Sequence, residues 1–449
     1  MSHPTPTAPW WRTLTRAQWL VFAVASLAWL FDCLDLQFFN LARDAAVFDF
    51  VGDRAQATVL GPYTTSMMLV GWSIGGLIFG ALGDRLGRAR ILTVCILFYS
   101  IGTGLSAFAG GFPAYCAFRL LTGFGVGGVF GLAVALVTDS VSDAARPPAL
   151  GLLQSLSTCG NILAGFIGMG VGAWALHPGL PFGLKAWQAL SLIGALPAFL
   201  CAVIITRVPE PEKWQRARSE AGGRGIRFGS YAALLGHSRW ARHAWFGLAV
   251  CCAGVVGVWG VGNFYPEIVG DVVRRHLAAR SLPPGELASE VAYWRSAGLL
   301  LQNIGGFAGM LTLSWLAQTR GRKLACAGAL VASFLATLAV FRGLREFDQI
   351  FWMLPLMGFG QLGVLAVFAV YLPELFPQSL RGTGTSFCYN FGRLIAATAP
   401  FTLSRITASL GGDLDAFRAA GQWVNLVLLL GLVPLLFLPE TRGQPLPQD

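Results

Sequence analysis

Apolar runs of about 20 residues recur along the whole 449-residue chain, and they constrain its fold more than any other feature. A helix of that length crosses the roughly 30 Å hydrocarbon layer of a bilayer. Only 12% of the residues are charged, against roughly 25% in soluble domains. The pattern predicts an all-α integral membrane protein with twelve transmembrane helices. The twelve runs lie at about 18–41, 63–82, 91–109, 113–138, 149–174, 187–206, 243–266, 294–317, 324–341, 349–372, 384–408 and 421–438.

Arginine and lysine are distributed unequally between the loops on the two sides of these runs. One set of loops carries 19 of the 32 basic residues and the other set carries 11. Since positively charged loops stay in the cytoplasm, we expect a multi-pass protein of the inner (plasma) membrane with both termini cytoplasmic. The net charge of +10 is spread over short loops, which favours contact with anionic membrane lipid and argues against a nucleic-acid partner.

Three short motifs occur twice, and their spacing indicates a duplicated six-helix unit. The sequence Asp84–Arg88 (DRLGR) returns as Gln318–Arg322 (QTRGR), and Pro209–Glu210 returns as Pro439–Glu440. The third repeated feature is an acid followed seven residues later by an Arg. Parallel repeats of this kind surround the substrate path of alternating-access carriers. The predicted organisation is two pseudo-symmetric six-helix bundles at 1–207 and 243–449, joined by a basic cytoplasmic linker at 208–242.

The loop Gly80–Arg90, with the sequence GALGDRLGRAR, resembles the signature G-x-L-x-D-R-x-G-R of the major facilitator superfamily. Together with the second copy and the twelve runs, the resemblance covers essentially the whole chain. It implies a transporter whose cytoplasmic loops latch one conformation. We expect Asp84 to meet a helix N-terminus or an Arg of a neighbouring helix.

The repeated acid-then-Arg loops follow runs 4 and 10 and resemble loops of the same superfamily. They predict two ion pairs, Asp139 with Arg146 and Glu374 with Arg381, which bias the carrier towards a closed cytoplasmic side. The complete set of predicted gate residues is Asp84, Arg85, Arg88, Asp139, Arg146, Arg322, Glu374 and Arg381.

Two carboxylates, Asp32 and Asp35, lie one helical turn apart in the first run. An ionised carboxylate at that depth costs about 2.5–3.5 kcal/mol, so it needs a cavity or a cation, and Arg119 in run 4 is the obvious cation. A carboxylate that alternates between a proton and an Arg couples transport to protons. A purely structural buried ion pair is the alternative. The acid pair resembles the D-G-F-D segment of the aromatic acid:proton symporters, with Cys33 and Leu34 replacing Gly and Phe.

A second intramembrane guanidinium, Arg393, follows Tyr389 and Asn390 in run 11, and several carboxylate symporters resemble the chain here. A substrate carboxylate would satisfy it through two parallel hydrogen bonds, whereas pairing to a distant Asp or to carbonyls is the structural alternative. Other polar side chains within the runs can line the substrate path or hydrogen-bond between helices. These further candidates are Gln154, Asn161, Asn263, Gln302, Asn303 and Gln361.

These features predict a monomeric secondary transporter that takes up a small organic anion by proton-coupled symport, with the proton as coupling ion and no cofactor. The alternative is a proton symporter for a sugar or another neutral metabolite, because Leu438–Gln444 (LPETRGQ) resembles the ending of sugar porters. Two features argue against this alternative. Cys251–Cys252 stands where sugar porters have a pair of Gln residues in the seventh helix, and a charged Arg393 is not expected beside a neutral ligand. The sequence has no HExxH motif and its nine Cys lie within apolar runs, which argues against an enzyme and a metal site.

Overall fold

The computed structural model of the chain describes residues 9–176, 181–224, 228–278, 283–396, 398–411 and 414–448, and every regular element within them is helical. The α-helices of the first half are α1 (Arg16–Val51), α2 (Arg54–Leu86), α3 (Arg88–Ser106), α4 (Phe112–Ser140), α5 (Arg146–Leu176), α6 (Ala186–Gly194), α7 (Ala198–Arg207), α8 (Glu212–Arg224) and α9 (Tyr231–Gly236). Those of the second half are α10 (Ser238–Val255), α11 (Tyr265–Leu277), α12 (Pro284–Arg320), α13 (Arg322–Gly343), α14 (Ile350–Glu374), α15 (Arg381–Ala396), α16 (Ala399–Ser409), α17 (Leu414–Asn425), α18 (Val427–Leu430) and α19 (Leu432–Leu436).

Eleven helical segments among the described residues are long and apolar enough to cross a membrane. Each overlaps one of the twelve predicted runs. The remaining run, 384–408, falls on α15 and α16, and residue 397 between these helices lies outside the described part of the chain. The all-α membrane architecture predicted from hydropathy is therefore confirmed.

Local chemistry sets several helix ends. Thr15 begins α1 with a capping box, in which its hydroxyl accepts from the Gln18 backbone N–H at 3.2 Å and the Gln18 side chain accepts from the Thr15 N–H at 2.9 Å. Gly87 and Gly321 precede α3 and α13 at φ +115° and +119°, a backbone region that favours glycine. These two glycines are the repeated Gly of the duplicated motif, so the duplication reappears as equal backbone geometry.

Several of the membrane segments are interrupted, among them Ala186–Arg207 and Ser238–Leu277. Pro197 separates α6 from α7, because proline has no backbone N–H with which to continue the helix. Between α10 and α11 the chain passes through a π-helical turn, Val256–Val261, and a 3-10 turn, Gly262–Phe264. Turns of this kind within a membrane helix are often found at functional sites. The predicted substrate residue Asn263 lies in the second turn, and its side chain is outside the described residues.

Glycines allow α4 to pack directly on the backbones of α2 and α3. A Cβ added at Gly123 or Gly127 would clash with α2 backbone oxygens, and one added at Gly125 would clash with backbone atoms of α3. The absence of a Cβ at these positions is what permits such close packing. This packing holds Arg119, one turn before Gly123, at a fixed depth.

The chain divides into two compact units. The first comprises Met1–Ala241, Leu372–Asn390 and Pro445–Asp449, and the second comprises Arg242–Tyr371 and Phe391–Gln444. The first unit thus includes the end of α14 and most of α15 in addition to α1–α9. Contact-based units do not test the bundle boundaries predicted from the repeats, so those boundaries remain predictions.

Candidate functional site

Asp84, at the end of α2, is fully buried and binds the N-terminus of α15. One carboxylate oxygen accepts from the Gly382 backbone N–H at 3.0 Å, and the other accepts from the Thr383 N–H at 2.7 Å and from the Thr383 hydroxyl at 2.8 Å. The Arg88 guanidinium also donates to Asp84 at 3.2 Å. Both of the partners expected for Asp84, a helix N-terminus and an Arg, are therefore present in the first unit.

A second acid, Asp139 at the end of α4, lies between two buried guanidinium groups. Arg88 approaches one oxygen of Asp139 at 2.6 Å, and Arg381 forms an ion pair with the other. Arg381 also donates to the Gln378 side chain at 2.5 Å and to the Pro373 carbonyl at 3.1 Å. Because these groups are buried, loss of Asp139 would leave Arg381 without its carboxylate partner in a site that water does not reach.

The third gate pair joins Arg146, which begins α5, to Glu374, which ends α14, at 3.0 Å. Arg146 also pairs with the exposed Asp143. The pairing predicted within each loop is therefore wrong, because the partners are exchanged: Asp139 pairs with Arg381, and Arg146 pairs with Glu374. The sequence places each acid beside the Arg of its own loop, but the fold brings the two loops of the first unit together and connects each acid to the Arg of the other loop.

Residues of the linker bind the end of α2, at Asp84 and Arg85. In α8, the Trp214 indole N–H donates to the Asp84 backbone oxygen at 2.8 Å, and Arg218 donates to the Arg85 backbone oxygen at 2.5 Å. The Arg85 side chain in turn donates to the Phe228 carbonyl at 3.0 Å. Arg85, predicted as a gate residue, thus binds a linker carbonyl, and the gate role predicted for the whole set stays a prediction.

Two repeated glutamates bind equivalent helix starts. Glu210 accepts from the backbone N–H groups of the first turn of α3 at 2.7–3.2 Å. Glu440 accepts from the N–H groups of Arg322 and Lys323 at the start of α13, at 2.8 and 3.0 Å. The predicted gate residue Arg322 is buried, and its side chain donates to the Ala317 carbonyl at 3.1 Å. Each glutamate supplies the acceptors that the first turn of a helix lacks.

The two predicted coupling groups, Asp35 and Arg119, are buried and connected through α3. The Thr103 hydroxyl donates to Asp35 Oδ2 at 3.0 Å, and the Ser106 hydroxyl donates to the Thr103 carbonyl at 2.6 Å. Arg119 donates to the Ser106 hydroxyl, and it lies 5.4 Å from the centroid of the Phe39 ring. The described residues show no direct ion pair between Asp35 and Arg119.

The other oxygen of Asp35, Oδ1, is buried and has no hydrogen-bond partner among the described residues. Asp32, one turn earlier in α1, is also buried, with 2% of its surface exposed. The first unit therefore holds two carboxylates and one guanidinium away from bulk water. Such an arrangement can exchange a proton, because one oxygen of Asp35 remains available to carry it.

The predicted anion-binding residues lie along α15. Arg393 is buried with 7% of its surface exposed, and Asn390 precedes it by one turn. The Asn390 amide donates to the Ser386 carbonyl of its own helix at 3.1 Å, whereas its oxygen has no partner among the described residues. The Tyr389 ring stacks on Phe130 with centroids 4.3 Å apart.

Of the other polar candidates, Gln302, Asn303 and Gln361 lie in the second unit, and Gln154 and Asn161 lie in the first. Gln302 donates to Gln361 at 3.1 Å, and Gln361 donates to Thr337 at 2.7 Å, so these residues tie α12, α14 and α13 together. Asn303 donates to its own helix at 2.8 Å, which is a structural contact. In the first unit, Asn161 accepts from Gln37 at 3.4 Å, and the buried Gln154 has a side-chain oxygen without a partner among the described residues.

Several contributing side chains were absent from the sequence interpretation. Thr103 and Ser106 carry the connection between Asp35 and Arg119, and Thr383, Gln378 and Trp214 hold the gate loop. The signal that could have found the first pair is a Thr and a Ser at i, i+3 on one face of α3. Gln378 lies three residues before its partner Arg381, whereas no local pattern distinguishes Thr383 and Trp214, because both bind Asp84 from far along the chain.

Comparison with known proteins supports the fold and its class. Residues 21–224 and 349–448 match the family described as sugar (and other) transporter. The chain is 27% identical to the cis,cis-muconate transport protein of Acinetobacter baylyi over 431 residues, with 95% of each chain covered. It is 26% identical to the niacin transporter NiaP of the same organism over 455 residues, with 94% of each covered.

The fold resembles that of solved twelve-helix carriers. The proton:xylose symporter XylE, a major facilitator superfamily protein, superposes with a TM-score of 0.73, 17% identity, and coverage of 96% of this chain and 98% of that one. At this identity the likeness concerns the fold alone. It confirms the predicted twelve-helix architecture, which hydropathy and the duplicated motifs had indicated.

Proposed function

Because the chain belongs to the sugar (and other) transporter family of the major facilitator superfamily, we propose that it takes up a small organic anion together with protons. Membership of this family makes it a multi-pass membrane transporter and not an enzyme. The anion follows from two supports: the buried Arg393, and relatives named for muconate and niacin, whose acids carry carboxylates. A guanidinium in a membrane interior binds a carboxylate through two parallel hydrogen bonds.

The observation that carries the proton coupling is the connection between Asp35 and Arg119. Asp35 Oδ1 takes the proton, while Thr103 keeps its hydrogen bond to Oδ2. When the proton leaves, the ionised carboxylate attracts Arg119, whose contact with Ser106 is then exchanged for Asp35. This switch gives the protonated and ionised carriers different preferred conformations, which is what coupling requires.

The buried ion pairs around Asp139 and Glu374 form the gate in this proposal. They lock one conformation while Arg88, Arg381 and Arg146 are paired, and they break when the path opens on that side. The distribution of basic loops supports a cytoplasmic position for this end and for both termini, with the carrier in the inner membrane. We propose that it works as a monomer, with the proton as the only coupling ion.

The test is uptake into proteoliposomes under an imposed inward proton gradient, with labelled nicotinate, cis,cis-muconate and glucose. Accumulation of an acid that collapses on addition of a protonophore is the expected result. Glucose accumulation would instead favour the sugar porters, to which the family name and LPETRGQ ending also point. Accumulation that is unaffected by the protonophore would exclude proton coupling.

Variants locate the two functions. Arg393→Ala should abolish uptake of acids, and the exposed Arg405→Ala in the following helix is its matched control. Asp35→Asn should remove proton-driven accumulation but leave exchange of labelled for unlabelled acid. Wild-type acid affinity in Arg393→Ala would exclude the anion site, and intact pH dependence in both Asp35→Asn and Asp32→Asn would exclude the coupling site.

A further inference from the structure

A groove of about 1090 Å³ lies on the first unit where α3 and α7 meet the linker helix α8. One wall is apolar and is formed by Val94 and Leu97 of α3 and by Ile204 and Ile205 of α7. Both helices belong to membrane-crossing segments, and 71% of Ile205 is exposed. The groove is separate from the gate acids and from the residues assigned to the proton and the anion. Its apolar wall is therefore accessible to the acyl chains of the bilayer.

The rim of the groove is cationic. Arg90 in the first turn of α3 and Arg218 in α8 both line it. The Arg90 guanidinium has no hydrogen bond or ion pair among the described residues. Arg218 lies 5.0 Å from the centroid of the Trp214 ring and uses one donor on the Arg85 carbonyl, which leaves the rest of its five N–H groups available.

The one acid that lines the groove does not neutralise this rim. Glu210 accepts the backbone N–H groups of Arg88, Ala89 and Arg90 at 2.7, 3.2 and 3.0 Å. Its charge is therefore compensated by the N-terminus of α3. The two guanidinium groups remain to attract an anion.

We propose that this groove binds one anionic phospholipid, with an acyl chain against the apolar wall and the phosphate between Arg90 and Arg218. The combination of an apolar wall within a membrane segment and two cations at its end matches the two parts of such a lipid. A zwitterionic phospholipid offers the same chains but less net charge, so the site discriminates by headgroup.

Binding at this groove also acts on the linker. Trp214 lines the groove, and its indole N–H holds the Asp84 backbone oxygen at 2.8 Å. A lipid that packs on Trp214 and pairs with Arg218 therefore stabilises α8 in contact with the gate loop. The lipid site thus strengthens the docked linker without touching the substrate residues.

The test measures lipid retention by the purified full-length protein in detergent, without substrate. Mixed micelles contain either phosphatidylglycerol or phosphatidylcholine with identical acyl chains, and native mass spectrometry counts the retained lipid. The variant Arg90→Gln/Arg218→Gln should lose about 30-fold of the preference for phosphatidylglycerol, because each Arg near an anionic lipid contributes about fivefold. Arg216→Gln is the matched control, since Arg216 pairs with Glu212 at 3.1 Å and does not line the groove.

Two further arms protect the test against misfolding and against a free anion. Val94→Trp fills the apolar wall and leaves both arginines, so it should also reduce phosphatidylglycerol retention. Soluble glycerol phosphate, which has no acyl chains, should not raise the melting temperature of the wild type. Unchanged lipid preference in the double variant, or stabilisation by glycerol phosphate equal to that by the lipid, would overturn the proposal. Because no substrate is present, the result is independent of the transport assay.

Discussion

Thr383 binds Asp84 twice, through its backbone N–H at 2.7 Å and through its hydroxyl at 2.8 Å. The contact fastens the end of α2 to the first turn of α15, residues separated by 299 positions in the chain. An acidic side chain at a helix N-terminus is favoured by the helix dipole, and burial strengthens the interaction. The Asp of the loop motif thus caps the N-terminus of α15.

Replacement of Asp84 by Asn should loosen the contact with Thr383, because it removes the negative charge at the start of α15. It also breaks the buried ion pair with Arg88, which costs about 3–5 kcal/mol. The buried Cys388 of α15 reports on it. With the other eight cysteines replaced by Ser, we expect maleimide to label Cys388 about tenfold faster or more in Asp84→Asn. Asp143→Asn is the control, since that carboxylate is 63% exposed. Equal labelling in Asp84→Asn and the parent would contradict the gate assignment.

The exchanged pairing can be measured by a double-mutant cycle. Replacing Arg146 and Glu374 by Gln, singly and together, should give a coupling energy of about 1–3 kcal/mol in unfolding free energy, because the groups are buried 3.0 Å apart. The same cycle on Glu374 and Arg381, the pair predicted from the sequence, should give a smaller coupling energy than the cycle on Arg146 and Glu374. A larger coupling energy for Glu374 with Arg381 than for Arg146 with Glu374 would instead support the ion pairs predicted within each loop.

Ser106 is predicted to position Arg119. Ser106→Ala removes the acceptor that holds the guanidinium, which then moves towards Asp35 and favours the ionised carboxylate. Proton-driven uptake should need a more acidic medium, with the midpoint of its pH profile lower by about one unit. Ser191→Ala is the control, because that buried hydroxyl donates to the Trp187 carbonyl of its own helix at 2.9 Å. A changed rate with an unchanged profile would mean a merely structural role.

Glu440, which caps the N-terminus of α13, should make the stability of the fold depend on pH. Burial raises the pKa of Glu440, but the backbone N–H groups of Arg322, Arg442 and Lys323 outweigh it and hold the pKa below its usual value. The cap therefore stabilises the fold above about pH 4.5, the ordinary value of a glutamate, and is lost as pH falls through the lower folded pKa. Glu440→Gln should cost about 1 kcal/mol near neutral pH.

Melting temperatures in detergent check this cap. The gap between wild type and Glu440→Gln should be present at pH 7 and should shrink in acid. Glu212→Gln, which breaks an exposed pair with Arg216, should change little at either pH. A gap that persists unchanged in acid would mean that the carboxylate charge does not contribute.

Much of the fold follows from properties that are local in the sequence. Hydropathy predicted the membrane helices, and the Gly that recurs in the loop motif has the same positive φ at Gly87 and Gly321, where α3 and α13 begin. The glycines of α4 allow close packing on α2 and α3, since only a residue without a Cβ tolerates a neighbouring backbone at that distance. Asp84 was expected at a helix N-terminus because acids are stabilised there.

The tertiary structure alone decided which charged groups meet. Arg146 and Glu374 are 228 positions apart, and Asp139 and Arg381 are 242 apart, so the acid seven residues before each Arg was the wrong partner. The hydrogen bonds that connect Asp35 to Arg119 through Thr103 and Ser106 were likewise not predicted from the sequence. The sequence by itself predicted the membrane helices, the repeated motifs and the residue types at the helix ends, because burial in lipid and helix capping depend on a few consecutive residues. Partner choice depends on which helix faces pack together, and only the folded chain sets that.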